Sequence, residues 1–400
     1  MRGAAPKSEK PSADIARVVA AVERVVGDAK RPVHLHEPSF GARERELLNA
    51  TIDSGWVSAG GKYVDEFERR VAAIAGVKHA VAVVNGTAAL HTAMLLAGVR
   101  PGDEVLMPAI TFVATANAAS HAGAVPHFVD SSWDALGLDP EALDRHLQEI
   151  ADLSGGVLLN RRTRRPIRAV VPVHIFGHPL AFDALAKVAQ KYRLAVVEDA
   201  AEAIGSIYRG KPCGSLGLCA AMSFNGNKIV TTGGGGAVLT DDRALAERAR
   251  HITTTAKRPH RWEFFHDEVA YNYRLPNLNA ALGCAQMERI DEFIAAKRRL
   301  AAKYASAFRE LNGVRFLSEP AQTRSNSWLN TIVLDGSDAN FRDALLVALH
   351  ERQILARPVW TPMHLLPMYR ECPRAPLSIA EDIYARTINL PSSPFLAPRC

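Results

Sequence analysis

The sequence predicts an α/β protein, with a mostly parallel sheet in a large domain and a smaller α+β domain towards the C-terminus. Two observations carry this. From residue 64 to about 285, short apolar runs alternate with helical stretches, the pattern of buried parallel strands joined by helices. Beyond that, a long charged amphipathic stretch leads into short strands mixed with one helix. The length of 400 residues fits, since domains commonly span about 100–200 residues. The expected boundaries are 1–32 for an N-terminal tail and helix, 33–285 for the large domain and 286–400 for the smaller one.

Taken in order, residues 1–11 read as disordered. Ser12 is placed to cap a helix whose apolar residues Ile15, Val18, Val19, Val22, Val25 and Val26 share one face. Residues 33–40 read as extended, 43–54 as a second helix, and Ser54 to Gly61 as a loop of small residues around Trp56. Helix is expected over Asp65 to Ala75, Thr87 to Leu96, Thr115 to Ala122 and Ala181 to Tyr192. Strand is expected over Ala80 to Val84, Glu104 to Pro108, Val125 to Val129, Ala169 to Val173, Leu194 to Glu198 and Ala237 to Leu239, each a short apolar run. Met287 to Leu311 reads as one long helix and Ala339 to Arg352 as another.

Composition excludes several classes. Hydrophobic residues at 48% and charged residues at 22% are ordinary for a globular protein, and 27 Gly with 23 Pro exclude a collagen-like or low-complexity chain. The net charge of +6 has no clustered basic footprint, so nucleic acid is not an expected partner. The one dense run, Arg161, Arg162, Arg164, Arg165 and Arg168, is broken by Pro166 and reads as a solvated turn. Five widely spaced cysteines without a CxxC pair suggest neither a disulfide framework nor a zinc ribbon, and a reducing, cytoplasmic setting is expected. The first residues carry Arg2, Lys7, Glu9, Lys10 and Asp14 with no apolar core, unlike a signal peptide. Val105 to Val129 contains no Asp, Glu, Lys or Arg, but Pro108, Asn117, His121, Pro126 and His127 make it too polar and broken to span a membrane.

Three constellations fall at the ends of expected strands, where open α/β sheets bind ligands. The strand ending at Val84 runs into Asn85-Gly86-Thr87-Ala88-Ala89 and a helix, whose first N–H groups can hold an anion, or which is simply a capped turn. Asp199 ends a strand and either caps the next turn or aims a carboxylate into a cleft. Lys228 is a lone lysine among small residues, in Ser223-Phe224-Asn225-Gly226-Asn227-Lys228 followed by Thr231-Thr232-Gly233. Desolvation there makes its amine nucleophilic; otherwise it is a surface lysine in a loop. Together, a phosphate cup, a strand-end aspartate and a lysine 29 residues later match the needs of pyridoxal phosphate.

On Gly86-Thr87-Ala88-Ala89, Glu198-Asp199-Ala200-Ala201, Ser223 to Lys228 and Tyr271-Asn272-Tyr273-Arg274, the chain resembles the DegT/DnrJ/StrS sugar aminotransferases over about His34 to Pro394. Leu35-His36-Glu37-Pro38, Gly55-Trp56-Val57-Ser58 and Val173 to Pro179 bring it nearer the LegC-type branch. The resemblance implies fold type I of the pyridoxal phosphate enzymes and amination, from L-glutamate, of C4 of a UDP-linked 4-keto-6-deoxy-N-acetylhexosamine. It implies that Lys228 is the Schiff-base lysine and that Asp199 pairs with the pyridine nitrogen. Gly86, Thr87, Ala88 and Ser223 would hold the phosphate, with Phe112 stacked on the ring. Asn272 would reach the phosphate of a partner subunit, which implies a homodimer. Trp56, Ser58, Trp360 and His364 are candidate substrate contacts.

Glu202 departs from the pattern of the family, where a Gln three residues after the aspartate donates to the phenolic oxygen of the cofactor; an ionised carboxylate has no proton to donate. Metal ligation is not expected. His174 and His178 have helical i,i+4 spacing, but Gly177 and Pro179 point to a loop, and His34 and His36 merely alternate. A dehydratase of the same family would carry histidine in place of Lys228, and a non-catalytic relative would lack Lys228 or Asp199; both residues are present.

Overall fold

The computed structural model describes residues 14–336 and 339–397. Seven strands form the central sheet: β1 (His79–Val83), β2 (Glu104–Pro108), β3 (Val125–Val129), β4 (Ile167–Val170), β5 (Ala195–Asp199), β6 (Cys219–Ser223) and β7 (Gly236–Thr240). Their spatial order is β1-β7-β6-β5-β4-β2-β3. β7 runs antiparallel to β1 and β6, whereas the β6–β5, β5–β4, β4–β2 and β2–β3 pairs are parallel. β2, β6 and β7 are buried along their whole length, as strands covered on both faces must be. The helices are α1 (Ile15–Val26), α2 (Ala42–Asp53), α3 (Lys62–Ala75), α4 (Gly86–Leu96), α5 (Ala114–His121), α6 (Pro140–Ile150), α7 (Phe182–Tyr192), α8 (Arg243–Thr253), α9 (Asn277–Met287), α10 (Ile290–Phe308), α11 (Ala339–Glu351) and α12 (Ser378–Arg386).

A second, antiparallel sheet lies towards the C-terminus: β8 (Val314–Phe316), β9 (Asn330–Leu334), β10 (Arg357–Pro358) and β11 (Thr387–Leu390), in the order β8-β9-β11-β10. Its core includes the valine stripe of α1, which packs with Leu300, Tyr304 and Phe308 of α10 and Leu345 and Leu349 of α11. The periodicity of α1 marks the buried face; it does not say which sheet that face covers. Ser12 lies outside the described residues, and α1 is capped instead by Asp14, whose carboxylate accepts the Ala16 N–H at 2.9 Å.

Other sequence expectations need correction. The long helix expected over Met287 to Leu311 is α10, Ile290–Phe308, three residues shorter at each end; it is preceded by the unexpected α9, from which Glu288 and Arg289 part it, Arg289 leaving helical geometry at φ −115°. α9 gives no sequence signal because it is buried nearly all round and shows no polar stripe. Its Gly283 lies so close to α3 that a Cβ there would come within 2.5 Å of the Phe67 ring. β6 is equally silent: Cys219-Ala220-Ala221-Met222 lacks the β-branched residues that mark a strand. α6 lies outside the expected helices, although Asp139 as cap and Pro140 at the first helical position signal its start.

Candidate active site

The parallel pairing brings the ends of β5 and β6 to one edge of the sheet, and β7 joins that edge to β1. Gly236, the first residue of β7, is the register partner of both Val83 and Ser223. This sets the Asn85-Gly86 turn directly beside Ser223. A Cβ on Gly86 would lie 2.8 Å from the Ser223 Cβ, and one on Gly236 would lie 2.4 Å from the Asn85 carbonyl oxygen. Glycine is required at both positions by close approach. Asn85 caps α4 by accepting the Ala88 N–H at 2.8 Å. The Ala88 N–H is thus engaged within the helix turn, and the N–H groups of Gly86 and Thr87 are those left without an intrahelical acceptor. They and the Ser223 hydroxyl line a cup suited to an anion.

Asp199 ends β5 and is 4% exposed. Its Oδ2 accepts the Thr115 hydroxyl at 2.7 Å, Thr115 touches Thr111 at 2.8 Å, and its Oδ1 accepts the Ala201 N–H at 3.1 Å. Burial pushes the Asp199 carboxyl above its ordinary range; the two hydrogen bonds and the charge of Lys228 pull the other way. Such a group gains most from a cationic partner. The preceding Glu198 serves the scaffold: fully buried, it accepts N–H groups from Gly214, Leu216 and Gly217 and pairs with His174 at 3.0 Å.

Lys228 is held in a closed turn in which its own N–H donates to the Asn225 carbonyl and the Thr232 N–H donates to that of Phe224, followed by buried Ile229 to Thr232. This excludes the surface-loop reading. Its Nζ lies 3.3 Å from Glu202 Oε1 and 3.8 Å from the centroid of Trp328. Glu202 Oε2 accepts the Phe176 N–H at 2.9 Å. Burial pushes the Glu202 carboxyl up to about 7 against the opposing pull of Lys228 and the Phe176 N–H. Trp328, whose Nε1 donates to the Asn227 carbonyl at 2.9 Å, is a site residue that the sequence does not reveal. It lies in the C-terminal part of the chain, and no local pattern links it to Lys228.

The remaining candidates divide. Trp360 stands 4.9 Å from the Phe176 ring and 6.2 Å from that of Phe112, so both belong to the aromatic wall beside Glu202 and Lys228. Phe112 is 53% exposed, so it is not a core residue. Trp56 and Ser58 lie on a separate exposed loop: the Trp56 carbonyl accepts Asn277 Nδ2 at 2.6 Å and the Ser58 carbonyl accepts the Asn277 N–H at 3.0 Å. His364 binds Glu381 at 3.0 Å, and no described contact joins it to Lys228 or Asp199. Asn272 is exposed on a segment bridged to Thr254. Arg274 anchors that segment through Glu68 at 2.7 Å and the Ala82 carbonyl at 2.9 Å.

The sequence profile of the DegT/DnrJ/EryC1/StrS aminotransferase family matches residues 38–399. The chain belongs to that family. A GDP-perosamine synthase of Caulobacter vibrioides is 38% identical to it over 356 residues, covering 89% of this chain and 91% of the relative. The crystal structure of DesI with its TDP-sugar product superposes with a TM-score of 0.79 at 33% identity, covering 92% of this chain and 88% of that one. Helicobacter pylori PseC, an aminotransferase of pseudoaminic acid biosynthesis, gives 0.81 at 26% identity over 90% and 94%. The chain is thus a sugar aminotransferase of fold type I, and its cofactor is pyridoxal phosphate. The residues present fit that group: a glycine-floored anion cup, a buried carboxyl that favours a cationic partner, and a lysine in a water-poor wall. No helix of the described residues is long and apolar enough to cross a membrane.

Proposed function

We propose that this enzyme transfers an amino group from L-glutamate to C4 of a nucleotide-linked 4-keto-6-deoxy sugar. The observation that carries this is the convergence of Lys228, Asp199 and the Gly86–Ser223 cup at one sheet edge. Pyridoxal phosphate bound there supplies a carbonyl carbon to carry the amino group and a ring to accept electrons. Gly86, Thr87 and Ser223 bind its phosphate, with Ala88 shaping the turn. Asp199 keeps a proton on the pyridine nitrogen, and Phe112 covers the ring face. Lys228 Nζ is the tether and, when free, the base and acid that moves one proton to and from the sugar carbon. Trp328, Phe176 and Trp360 exclude water around it.

Resemblance to the LegC-type branch favours UDP-2-acetamido-2,6-dideoxy-4-ketohexose as acceptor, feeding surface glycan or nonulosonic acid synthesis. A GDP-linked acceptor is the second reading, favoured by the named product of the 38%-identical relative. Trp56, Ser58 and His364 are proposed as contacts to the distal part of the nucleotide sugar. Asn272 is proposed to complete the phosphate site of a second subunit, which makes the working unit a homodimer. Incubating the protein with glutamate and a panel of UDP-, GDP- and dTDP-linked 4-keto sugars, read by mass spectrometry, tests the proposal. The expected product has the keto oxygen replaced by an amine. No amino sugar from any acceptor, with the cofactor bound, overturns it.

A further inference from the structure

Glu202 and Lys228 form a buried pair whose geometry is over-determined. Glu202 has 4% of its side chain exposed and Lys228 has 12%. Glu202 Oε2 is occupied by the Phe176 N–H at 2.9 Å, which leaves Oε1, 3.3 Å from Nζ, to Lys228. Phe176 makes that contact from a left-handed conformation, φ 55° and ψ 18°, which a fully buried non-glycine residue adopts only where its surroundings enforce it. The next residue must be glycine, because a Cβ on Gly177 would clash with Asn326 Oδ1, only 1.9 Å away. A strained turn thus aims one carboxylate oxygen at the lysine. The other charged or titratable groups that act on the pair are Asp199 from the end of β5, with His174 behind it, and His36 from the extended N-terminal segment. Burial, with the charges of Lys297 and Lys228, pushes the His36 imidazole below its ordinary range.

We propose that Glu202 and Lys228 share one proton: Glu202 is the carboxylate partner of a charged Lys228, and becomes a neutral hydrogen-bond donor once Lys228 loses its charge. The proton leaves Nζ as its N–H bond breaks and an O–H bond forms at Oε1; ammonium and carboxylate become amine and acid, and no other reactant is needed. The neutral amine is the nucleophile that condensation with a carbonyl demands. The acid can donate where an ionised glutamate cannot, so it stands in for the glutamine of the family at this position. Burial already lifts the Glu202 carboxyl to about 7 with the lysine charge opposing it; removing that charge lifts it further. The proposal rests on the proposed function only for the moment at which Lys228 loses its charge.

The test therefore uses cofactor-free protein. In Lys228→Met the opposing charge is gone, and infrared spectra at neutral pH should show the C=O stretch of a protonated, buried carboxylic acid that is absent from Lys228→Met/Glu202→Gln. No such difference overturns the proposal. A second reading comes from urea unfolding. A carboxyl raised in the folded state contributes its stability below its unfolded value of about 4.3 and loses it as pH rises through the folded value. The midpoint of Lys228→Met should therefore fall from about pH 5 to 8 relative to the double variant. Parallel midpoints overturn it, and Lys228→Leu serves equally if Lys228→Met does not fold. In the wild type, adding pyridoxal phosphate should produce the same acid band. If Lys228→Met shows the band while the wild-type protein, with cofactor bound, makes no amino sugar from any acceptor, the proposed function fails and the shared proton stands.

Discussion

Asp199 shows how one residue is tuned by its setting. Its carboxylate is buried and lifted by desolvation, and steadied by Thr115, the Ala201 N–H and the charge of Lys228, so a further cationic partner would favour its charged form. Replacing it with asparagine keeps the shape and removes the charge. Leaving a buried charge without its partner costs roughly 3–5 kcal/mol. Asp199→Asn should therefore retain bound cofactor while glutamate bleaches it on the order of 10²–10³-fold more slowly in a single turnover; an unchanged rate refutes the pyridinium role. Lys228→Ala removes both tether and proton carrier. It should lose the visible absorbance of lysine-bound cofactor and at least about 10²–10⁴-fold in turnover, the usual share of a positioned acid–base group. A variant keeping both absorbance and activity refutes the assignment.

At the scale of elements, the site is assembled by turns that individual residues lock. Asn277, at the start of α9, accepts the Tyr63 N–H and donates to the Trp56 carbonyl, while its own N–H meets the Ser58 carbonyl. Gly61 lies so close that a Cβ would come within 2.4 Å of the Asn277 Cγ. Asn277→Ala should cost about 1–3 kcal/mol, the penalty for stranding buried polar groups, and lower the urea midpoint accordingly; a midpoint equal to wild type contradicts this locking. Such contacts explain what the sequence could and could not show. The strands β2 and β3 were legible to the residue because each is an apolar run bounded by turns; Asp199 and the Gly86 turn stood out at the ends of expected strands, and Lys228 as a lone lysine among small residues. β6 and α9 were not, since alanine-rich buried segments have no two-sided pattern. Trp328 reaches Lys228, and Phe176 reaches Glu202, only through tertiary packing. The occupied Ala88 N–H likewise needed the side-chain geometry of Asn85 to be seen.

Helix α1 packs on α10 and α11 in the core beside the C-terminal sheet, while the central sheet carries the site at its edge. One region stays open. Trp262, Phe264, Phe265 and Val269 are 70%, 79%, 57% and 97% exposed, on the excursion between α8 and the segment bearing Asn272. Exposed apolar groups along one segment fit a contact surface, and the exposed Asn272 follows that segment with no side-chain partner among the described residues. This supports the homodimer in which Asn272 completes the neighbouring phosphate site. The competing arrangement keeps Asn272 in its own subunit. Mixing separates them. In the proposed homodimer, Lys228→Ala and Asn272→Ala would each impair both sites. If sites are shared, each mixed dimer holds one site with both defects and one with neither, by the two-fold symmetry of such an assembly. Activity should then rise above either parent, towards about half the wild-type value per fully mixed dimer. If mass spectrometry shows mixed dimers and activity does not rise, Asn272 serves its own subunit and the shared site is wrong.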